Sequence, residues 1–481
     1  MGRNGSETSN WSSMLLQLIY DEDLAQASYL IGCQAAGEAI IIDPRRDVDT
    51  FLRLVEHHEL QLSAVVETHI HADYQSGGRE LAERSGVPLY LSDEGNEDWK
   101  YRFPSEKLVH GNEIRLGKIH IQVLHTPGHT PEHLSFLVTD GAATDLPGFF
   151  LSGDFVFVGD VGRPDLLDEA AGLVDTRFEG AHQLFASLRD HFLTLPDYIQ
   201  VWPAHGAGSA CGKALGAVPL TTVGYERQVA WWSRMVREGD LDGFTSTLLA
   251  DQPDAPLYFA RMRRTNMLGP ALLGERPPMQ VFKPAELRGR VNEDLILLDT
   301  RSIAEHRADH VPGALFVPEG KKFATNASFA VDPDSDKRPI VVLARDQAQA
   351  CWMRDRLSWT GIDHVLGYVP SLEGLTAGPL PMVAPGELTR VPDALVLDVR
   401  TAHDHRAGRI PGSMQLDIGR LAFRIDQVPA DRPVVVHCQS GNRAAVAASI
   451  LRARGRTDVR ELEGSYQGWV EAGCPSVPAE S

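Results

Sequence analysis

The chain has 481 residues, and at roughly 150 residues per domain this length predicts about three domains. Its 46 Lys and Arg residues against 65 Asp and Glu residues give a net charge of −19. Because such an excess of acid repels phosphate backbones and anionic lipids, we expect neither nucleic-acid binding nor membrane-surface binding. The hydrophobic fraction of 43% and the charged fraction of 23% are those of a folded globular protein.

Cysteine usage and the opening residues bear on the cellular compartment. The opening run 1–15 is polar and has no apolar core, so it predicts neither a secretory signal nor a membrane anchor. No run approaches the roughly 20 consecutive apolar residues of a membrane helix. The five cysteines are odd in number and far apart, which favours a reducing compartment over a disulfide framework. We therefore expect a cytoplasmic protein.

Two stretches rich in Pro and Gly, residues 268–278 and 376–381, divide the chain. The three segments that they separate each have the length of an ordinary domain. The predicted domains are residues 1–268, 279–375 and 383–481.

In the first domain, short apolar runs such as residues 39–42 and 64–66 predict buried strands. The second run leads into the motif Thr-His-Ile-His-Ala-Asp, which carries His69, His71 and Asp73. If side chains alternate along this segment as in a strand, these three residues point to the same side. Imidazole and carboxylate groups so placed are candidate metal ligands.

Three more motifs follow in order along the chain. Pro-Gly-His-Thr carries His129, Ser-Gly-Asp carries Asp154, and Pro-Ala-His carries His205. A lone histidine after a strand is more often structural than metal-binding, but the ordered set is far more specific. The set HxHxD, PGHT, SGD and PAH resembles the metallo-β-lactamase fold, an αββα sandwich whose commonest members are hydrolases with two metal ions.

Position 74 departs from the dinuclear pattern HxHxDH, in which the last histidine binds the second metal. Tyr74 stands there, and a phenol must lose a proton with a pKa of about 10 before it binds a divalent ion well. The branch of this fold that uses one metal is the persulfide dioxygenases, and the sequence resembles it. The resemblance implies that His69, His129 and Asp154 hold one Fe(II) per chain.

Two imidazoles and one carboxylate on one face of an iron ion leave positions open for dioxygen and a sulfur substrate. By the same resemblance, His71, Asp73 and His205 orient these ligands or remain additional candidate metal ligands. The donor types alone also admit zinc.

Several other residues of the first domain are candidates for substrate contact. Arg163, in a Gly-Arg-Pro-Asp element that resembles one near the family's substrate, pairs either with a substrate carboxylate or with Asp165 or Asp160. Cys211, in a Gly-rich loop, is either a small buried thiol or a sulfur relay. Three basic residues near the end of the domain either meet an anionic substrate or form a solvated face: Arg261, Arg263 and Arg264.

The second and third domains repeat each other. Asp299-Thr300-Arg301 recurs as Asp398-Val399-Arg400, and further matched motifs follow each copy. Apolar β-branched runs alternate with helix-like stretches such as residues 444–454, which predicts small α/β domains with parallel sheets.

In the last copy an apolar run leads directly into the loop Cys438–Arg443, and a helix follows. Backbone N–H groups of such a loop, together with the helix N-terminus, hold negative charge at the sulfur. Cys438 is therefore a candidate nucleophile, with Arg443 as a fixed cation. Four residues lie between them, whereas tyrosine phosphatases have five, and the loop with its flanking motifs resembles rhodanese sulfurtransferases. The residues of this sulfur cradle are Gln439, Ser440, Gly441 and Asn442.

The middle copy lacks the nucleophile. Alignment of the repeat places Ala344 against Cys438 and Gln349 against Arg443. A methyl group cannot carry sulfur, and Cys351 falls on the following helix. We predict that this domain serves for packing, for docking the other two domains or for shaping a substrate channel.

The domain order resembles persulfide dioxygenase–rhodanese fusion proteins over nearly the whole chain. The resemblance implies that O2 oxidises a low-molecular-weight persulfide to sulfite at a mononuclear non-heme iron. Sulfur transfer at Cys438 then gives thiosulfate or consumes it, in sulfide detoxification. The thiol that carries the persulfide is glutathione, coenzyme A, a similar small thiol or a protein partner, and we expect a homo-oligomer.

Two alternatives remain open. The first is a glyoxalase II-like zinc thioester hydrolase fused to a rhodanese sulfur carrier, which His71, Asp73 and His205 favour and Tyr74 disfavours. The second is a non-enzymatic first domain that acts as a scaffold or sensor for the rhodanese. Metal content and turnover of an acylglutathione separate these alternatives from the dioxygenase.

Overall fold

The computed structural model describes residues 14–166 and 176–478. Residues 1–13, which make up most of the polar opening run, lie outside the described residues, so that interpretation stays a prediction. No helix within the described ranges is long and apolar enough to cross a bilayer.

The first sheet has six strands in sequence order, β1 to β6. The first three strands pair antiparallel and the remaining pairs are parallel. Apolar β-branched residues build its centre, as predicted for residues 39–42 and 64–66. The strands are β1 (Met14–Asp21), β2 (Gln26–Cys33), β3 (Glu38–Ile42), β4 (Gln61–Val66), β5 (Leu89–Ser92) and β6 (Glu106–Leu108).

The second sheet also has six strands, in the order β12-β11-β10-β9-β8-β7, and only β10 and β11 pair parallel. Its inner face packs on the first sheet through residues such as Ile40, Val66, Val123 and Phe136. The strands are β7 (Glu113–Leu116), β8 (Ile119–His125), β9 (Leu134–Asp140), β10 (Phe149–Gly153), β11 (Gln200–Pro203) and β12 (Thr221–Thr222).

Helices cover the outer face of each sheet. Phe51 and Leu81 pack helices α1 and α2 on the first sheet, while Leu184 and Trp232 belong to the helical layer on the second. The predicted αββα sandwich is therefore confirmed. Its helices are α1 (Val48–His57), α2 (Gly78–Ser85), α3 (Thr176–Asp190), α4 (Val223–Val229), α5 (Trp231–Glu238), α6 (Leu241–Leu249) and α7 (Tyr258–Leu268), with short 3-10 helices at Glu97–Trp99 and Phe192–Thr194.

The third sheet has five parallel strands in the order β13-β17-β16-β14-β15. Ala344 directly follows its central strand β16. The strands are β13 (Gln280–Val281), β14 (Ile296–Asp299), β15 (Leu315–Phe316), β16 (Ile340–Leu343) and β17 (Val365–Val369), and the helices are α8 (Pro284–Leu287), α9 (Ile303–Ala308), α10 (Phe323–Ala330) and α11 (Gln347–Trp359).

The fourth sheet repeats this order as β18-β23-β22-β19-β21, again all parallel, so the predicted repeat of two small α/β domains is confirmed. A separate antiparallel pair joins β20 to β24. The strands are β18 (Met382–Val383), β19 (Leu395–Asp398), β20 (Gly408–Arg409), β21 (Met414–Gln415), β22 (Val434–His437), β23 (Val459–Leu462) and β24 (Val477–Pro478). The helices are α12 (Ala402–Ala407), α13 (Ile418–Leu421), α14 (Asn442–Ala453) and α15 (Ser465–Glu471), with 3-10 helices at Pro385–Arg390 and Ile425–Gln427.

The middle domain contacts both of its neighbours. Asp23 of the first domain accepts hydrogen bonds from the backbone N–H groups of Ala324 and Thr325, in the first turn of α10. On the other side, the N–H of Phe316 donates to Ser449 Oγ on α14. The middle domain thus lies against both of its neighbours, and its role among the three predicted stays a prediction.

Candidate metal centre and sulfur-transfer loop

Three predicted ligands meet in the first domain. His69, His129 and Asp154 lie in the loops that follow β4, β8 and β10, and their ligand atoms are within 4.8 Å of one another. His129 Nε2 is 3.3 Å from Asp154 Oδ2, and His69 Nε2 is 3.9 Å from the same oxygen. All three side chains are buried. The fold therefore brings these two imidazoles and one carboxylate together.

The far side of each imidazole is hydrogen-bonded. His69 Nδ1 lies 2.8 Å from Thr68 Oγ1, which itself donates to Asp43 Oδ2 at 2.8 Å. His129 Nδ1 donates to the carbonyl oxygen of Arg163 at 2.9 Å. Burial lowers the pKa of both rings, so each is neutral near pH 7. With hydrogen on Nδ1, each ring directs the lone pair of Nε2 at the centre, as a metal ligand does.

Asp154 supports the interpretation as a cation site. No nitrogen or hydroxyl of the described residues donates a hydrogen bond to either of its carboxylate oxygens, although the side chain is fully buried. Burying an uncompensated carboxylate is costly, so a cation is the expected partner. The backbone N–H of Asp154 donates to His133 Nε2 at 3.0 Å, which fixes the loop. The donor set fits a divalent transition-metal ion.

A second group of candidate ligands lies on the other side of Asp154. Asp73, His205 and Cys211 place their ligand atoms within 4.8 Å of one another, and His205 Nε2 is 3.4 Å from both Asp73 Oδ2 and Asp154 Oδ1. His205 Nδ1 donates to the carbonyl oxygen of Ala25. Burial raises the pKa of the Cys211 thiol, and the charges of Asp154 and Asp73 raise it further, so the thiol is protonated in the absence of a cation.

The prediction that His71 points to the same side as His69 and Asp73 is wrong. The centroid of the His71 ring lies 4.2 Å from that of His69, but His71 Nε2 faces Asp43 Oδ1 and Glu67 Oε2, at 3.2 Å from each. The segment is a loop and not a strand, so the two-residue alternation does not apply. Two buried carboxylates attract this ring and raise its pKa despite burial.

Tyr74 is also turned away from the centre. Its hydroxyl donates to the carbonyl oxygen of Asp43, and burial raises the pKa of the phenol well above its usual value. The residue that replaces the sixth ligand of the dinuclear pattern therefore takes no part in the group of candidate ligands.

The structure does not support Arg163 as a substrate contact. Its guanidinium is fully buried and makes two hydrogen bonds to Asp165, at 2.8 and 2.6 Å, so the alternative of a structural ion pair is the correct one. Its remaining donors reach the carbonyl oxygens of Ala210 and Pro253. Arg163 instead connects the His129 loop with the Cys211 loop.

The three arginines near the end of the first domain also have protein partners. Arg261 donates to the carbonyl oxygen of Thr360 in the middle domain, and Arg264 pairs with Asp334. The guanidinium of Arg263 stacks over Trp99. The side chains of these arginines therefore contact other parts of the protein, and this differs from both predicted alternatives, an anionic substrate and a solvated face.

A cavity of about 370 Å³ opens beside the ligand triad. His129 lines it together with Trp99, His125, Pro127 and Gln183. Of the three triad residues, only His129 lines this cavity, whose size is that of a small-molecule pocket.

Sequence reasoning missed the residues behind the ligands. Asp43 orders the ligand loop by accepting hydrogen bonds from Thr68, and Glu132 Oε1 accepts from the N–H of Ile70 at 2.7 Å. Burial raises the pKa of Glu132 to about 7. Burial also raises the pKa of Glu67 to about 7, and the negative charge of Asp43 contributes to this shift. The sequence did carry one sign of this role, because Asp43 is an acidic residue directly after an apolar strand.

The sulfur loop of the last domain follows β22, as predicted. The N–H of Gly441 donates to Cys438 Sγ at 3.1 Å, and the N–H of Cys438 donates to Ser465 Oγ. Gly441 has a φ of 115°, a conformation that favours glycine, and α14 begins directly after it. Among the described residues, Gly441 is thus the cradle residue whose N–H reaches the sulfur.

The other predicted cradle residues lie around this contact. Gln439 Oε1 accepts from Arg400, while Ser440 and Asn442 complete the loop. Arg443 is partly exposed, with Nη2 at 3.8 Å from Asp404 Oδ2. The guanidinium of Arg443 therefore stands at the rim of the loop, available to an anionic sulfur compound.

The middle domain retains a pocket where its nucleophile is missing. Ala344 and Gln349 occupy the aligned positions, and Gln349 Nε2 donates to Glu319 at 2.7 Å. With Thr300 and Arg301 they line an open cavity of about 510 Å³. The fold of the sulfur site is present here without its chemistry.

Comparisons with known proteins agree with this architecture. The model of the metallo-beta-lactamase superfamily matches residues 21–205, and the model of the rhodanese-like domain matches residues 283–374 and 387–472. The cytoplasmic hydroxyacylglutathione hydrolase of Arabidopsis thaliana is 31% identical over 224 residues, 46% of this chain and 79% of that protein. The mitochondrial persulfide dioxygenase ETHE1 of Bos taurus is 26% identical over 211 residues, 42% of this chain and 72% of that protein.

One solved structure extends the similarity beyond the first domain. A metallo-beta-lactamase from Staphylococcus aureus subsp. aureus COL has 38% sequence identity and a TM-score of 0.65, and the match covers 75% of this chain and all of that one. The chain therefore belongs to the metallo-beta-lactamase superfamily, and two rhodanese-like domains follow its metallo-beta-lactamase domain.

Proposed function

We propose that the first domain oxidises a low-molecular-weight persulfide with O2 at one Fe(II), and that the last domain transfers sulfur through Cys438. One observation carries the proposal: His69, His129 and Asp154 form a buried triad, while the Tyr74 hydroxyl and His71 Nε2 contact Asp43 instead. A triad of this kind leaves coordination positions open. The relative that is a persulfide dioxygenase supports this choice.

The residues of the triad hold and orient the reacting groups. A ferrous ion bound there supplies the activation of dioxygen. His69 and His129 present neutral Nε2 atoms, and Asp154 contributes the negative charge. Apolar side chains such as Phe157 limit the access of water. The net reaction consumes RSSH, O2 and H2O and releases RSH, sulfite and two protons.

Sulfur transfer in the last domain needs no metal. The Cys438 thiolate attacks the outer sulfur of a persulfide. The bond between the outer and inner sulfur atoms of that persulfide breaks, and RS⁻ leaves. Sulfite then attacks the outer sulfur on Cys438, which releases thiosulfate and restores the thiolate. The Gly441 N–H, 3.1 Å from Sγ, stabilises the negative charge in each state, and the reverse direction uses the same groups.

Two variants test this division of labour. His129→Ala should remove iron and oxygen uptake while thiosulfate-to-cyanide sulfur transfer persists, with His182→Ala on the surface of α3 as the matched control. Cys438→Ser should abolish sulfur transfer and let sulfite accumulate while oxygen uptake continues, with Cys351→Ser as its control. Loss of oxygen uptake in Cys438→Ser would show that the two steps are not separate.

A specific observation favours a second candidate function. Asp73, His205 and Cys211 could complete a second cation position with Asp154 between the two. Two zinc ions so placed would supply the hydroxide of a thioester hydrolase fused to a sulfur carrier, as the similarity to hydroxyacylglutathione hydrolases also allows.

An anaerobic metal count combined with two activity assays separates the candidates. One iron per chain with oxygen uptake on persulfides of glutathione or coenzyme A supports the dioxygenase. Two zinc ions per chain with hydrolysis of an acylglutathione supports the hydrolase. Under the first proposal the protein acts in sulfide detoxification in the cytoplasm, as a homo-oligomer with small-molecule partners.

A further inference from the structure

The cysteine-less domain reaches the sulfur loop of the last domain through one side chain. Arg307, in the last turn of α9, lies against Gly441. A methyl group built on the Cα of Gly441 would be 3.1 Å from Nη2 of Arg307 and 3.9 Å from Nη1. The guanidinium therefore packs directly on the residue whose N–H donates to Cys438 Sγ.

A buried carboxylate fixes the guanidinium in this place. Nε and Nη2 of Arg307 donate to Glu461 Oε2 at 3.1 and 2.7 Å. Glu461, on β23 of the last domain, is fully buried, and its other cation, Arg452, is 4.0 Å away. Because two donors share one acceptor, the plane of the guanidinium has little freedom.

Gly441 needs such a support. Its φ of 115° suits glycine, and a glycine in a loop has many other conformations open to it. Only the observed conformation aims its N–H at the sulfur, where a preorganised donor stabilises negative charge. The contact with Arg307 limits the alternatives, and a Cβ at position 441 would displace the guanidinium by a few tenths of an ångström.

We propose that Arg307 is a positioning residue for sulfur transfer at Cys438, supplied by the domain that has lost its own nucleophile. The proposal rests on the sulfurtransferase activity proposed above and deepens it. It gives the middle domain a role in that reaction besides docking.

The internal repeat shows that this role belongs to one copy. The repeat aligns Arg307 with Arg406, whose side chain is more than half exposed and whose nearest carboxylate, that of Asp251, is 4.0 Å away. The repeat therefore does not explain the placement of Arg307; the packing of α9 against the neighbouring domain does.

The test compares Arg307→Ala, Arg307→Lys and the surface control Arg290→Ala in the full-length protein. Arg290 belongs to the same domain, is partly exposed, pairs with Asp294 at 3.7 Å and donates to the carbonyl oxygen of Glu286 at 3.4 Å. The assays are the rate of thiosulfate-to-cyanide sulfur transfer across pH and the rate of Cys438 alkylation by iodoacetamide, read from its peptide by mass spectrometry.

We expect Arg307→Ala to lower sulfur transfer near pH 7.5 about tenfold and to move the pH midpoint of Cys438 alkylation upward. Arg307→Lys should restore thermal stability relative to Arg307→Ala, because an ammonium still pairs with Glu461, but it lacks the planar pair of donors that holds the guanidinium against Gly441. Its sulfur transfer should therefore stay at least about threefold below the wild type.

A merely structural role predicts a different pattern, in which Arg307→Lys restores transfer and the alkylation profile together with stability. That result, or wild-type behaviour of Arg307→Ala, would overturn the proposal. If the wild type transferred no sulfur at all, the proposed function would fail instead, and the alkylation profiles of the same variants would still decide whether Arg307 positions the loop. If Arg307→Ala does not fold, the lysine variant alone decides.

Discussion

The hydroxyl of Thr68 offers a sharp test of the metal centre, because it is not itself a predicted metal ligand but hydrogen-bonds one, His69. It accepts a hydrogen bond from His69 Nδ1 and donates one to Asp43 Oδ2, both at 2.8 Å. Thr68→Val keeps the shape of the side chain and removes both bonds. The backbone N–H of Thr68 still donates to Asp43 Oδ1, so the loop retains one anchor.

The expected effect follows from what is left unpaired. In the variant, His69 keeps a buried N–H without an acceptor, which costs about 1 to 3 kcal/mol unless the ring turns. A turned ring no longer directs Nε2 at the centre. Loss of the outer partner of a metal-binding histidine lowers metal affinity about 10- to 100-fold. We therefore expect Thr68→Val to bind Fe(II) or Co(II) 10- to 100-fold more weakly than the wild type.

Anaerobic competition against a chromophoric chelator measures this affinity, and thermal unfolding of the metal-free protein measures the structural cost. Thr245→Val is the matched control, since Thr245 is buried on α6 in the same domain and its hydroxyl has no partner among the described residues. Affinity in Thr68→Val within twofold of both the wild type and the control would refute the idea that this hydroxyl orients His69.

Two further predictions concern the contacts between domains. Burial raises the pKa of Asp23 to about 6, so folding disfavours its ionised form, and its effect on stability is most favourable below pH 4 and declines as the pH rises to about 6. The free energy of unfolding of Asp23→Asn, relative to that of the wild type, should therefore be higher at pH 7 than at pH 4.5, by at most about 3 kcal/mol. Chemical unfolding of both proteins at the two pH values measures this change. An equal difference between the two proteins at both pH values would contradict the prediction. Gly361→Ala should lower the melting temperature by several degrees, because Gly361 has a φ of 70° and a methyl group there would strike Gln75; a melting temperature equal to that of the wild type would count against the tight docking of the middle domain.

The sequence was most informative where reactive or metal-binding residues stand in a short motif next to an apolar strand. The β-branched runs at residues 39–42 and 434–436 are strands because these side chains fill a buried sheet on both faces. His129 and Asp154 were found because each stands in a short motif directly after a strand. The cysteine loop was found in the same way.

Side-chain direction was harder to predict than position. The His71 ring lies beside that of His69, with the centroids 4.2 Å apart, yet its Nε2 faces Asp43 and Glu67 and not the ligand triad. Asp43 follows a different strand from the one that precedes His71, so the sequence around His71 does not predict this contact. Contacts across domains are harder still, and Arg307 gave no sign in its own motif that it would lie against Gly441 of another domain.

The two candidate functions differ in how well each cation position is prepared. At the first position, His69 and His129 are each held from behind by a hydrogen bond, so the ligands are oriented before a cation arrives. At the second position, His205 is held from behind in the same way by the carbonyl oxygen of Ala25, but the Cys211 thiol must lose its proton to become a ligand. A cation at the second position therefore has to offset the deprotonation of Cys211, a cost that the first position does not carry. The proposed persulfide oxidation needs only the first position, whereas the thioester hydrolase needs both, so a metal count of a Cys211→Ser variant tests whether Cys211 limits occupancy of the second.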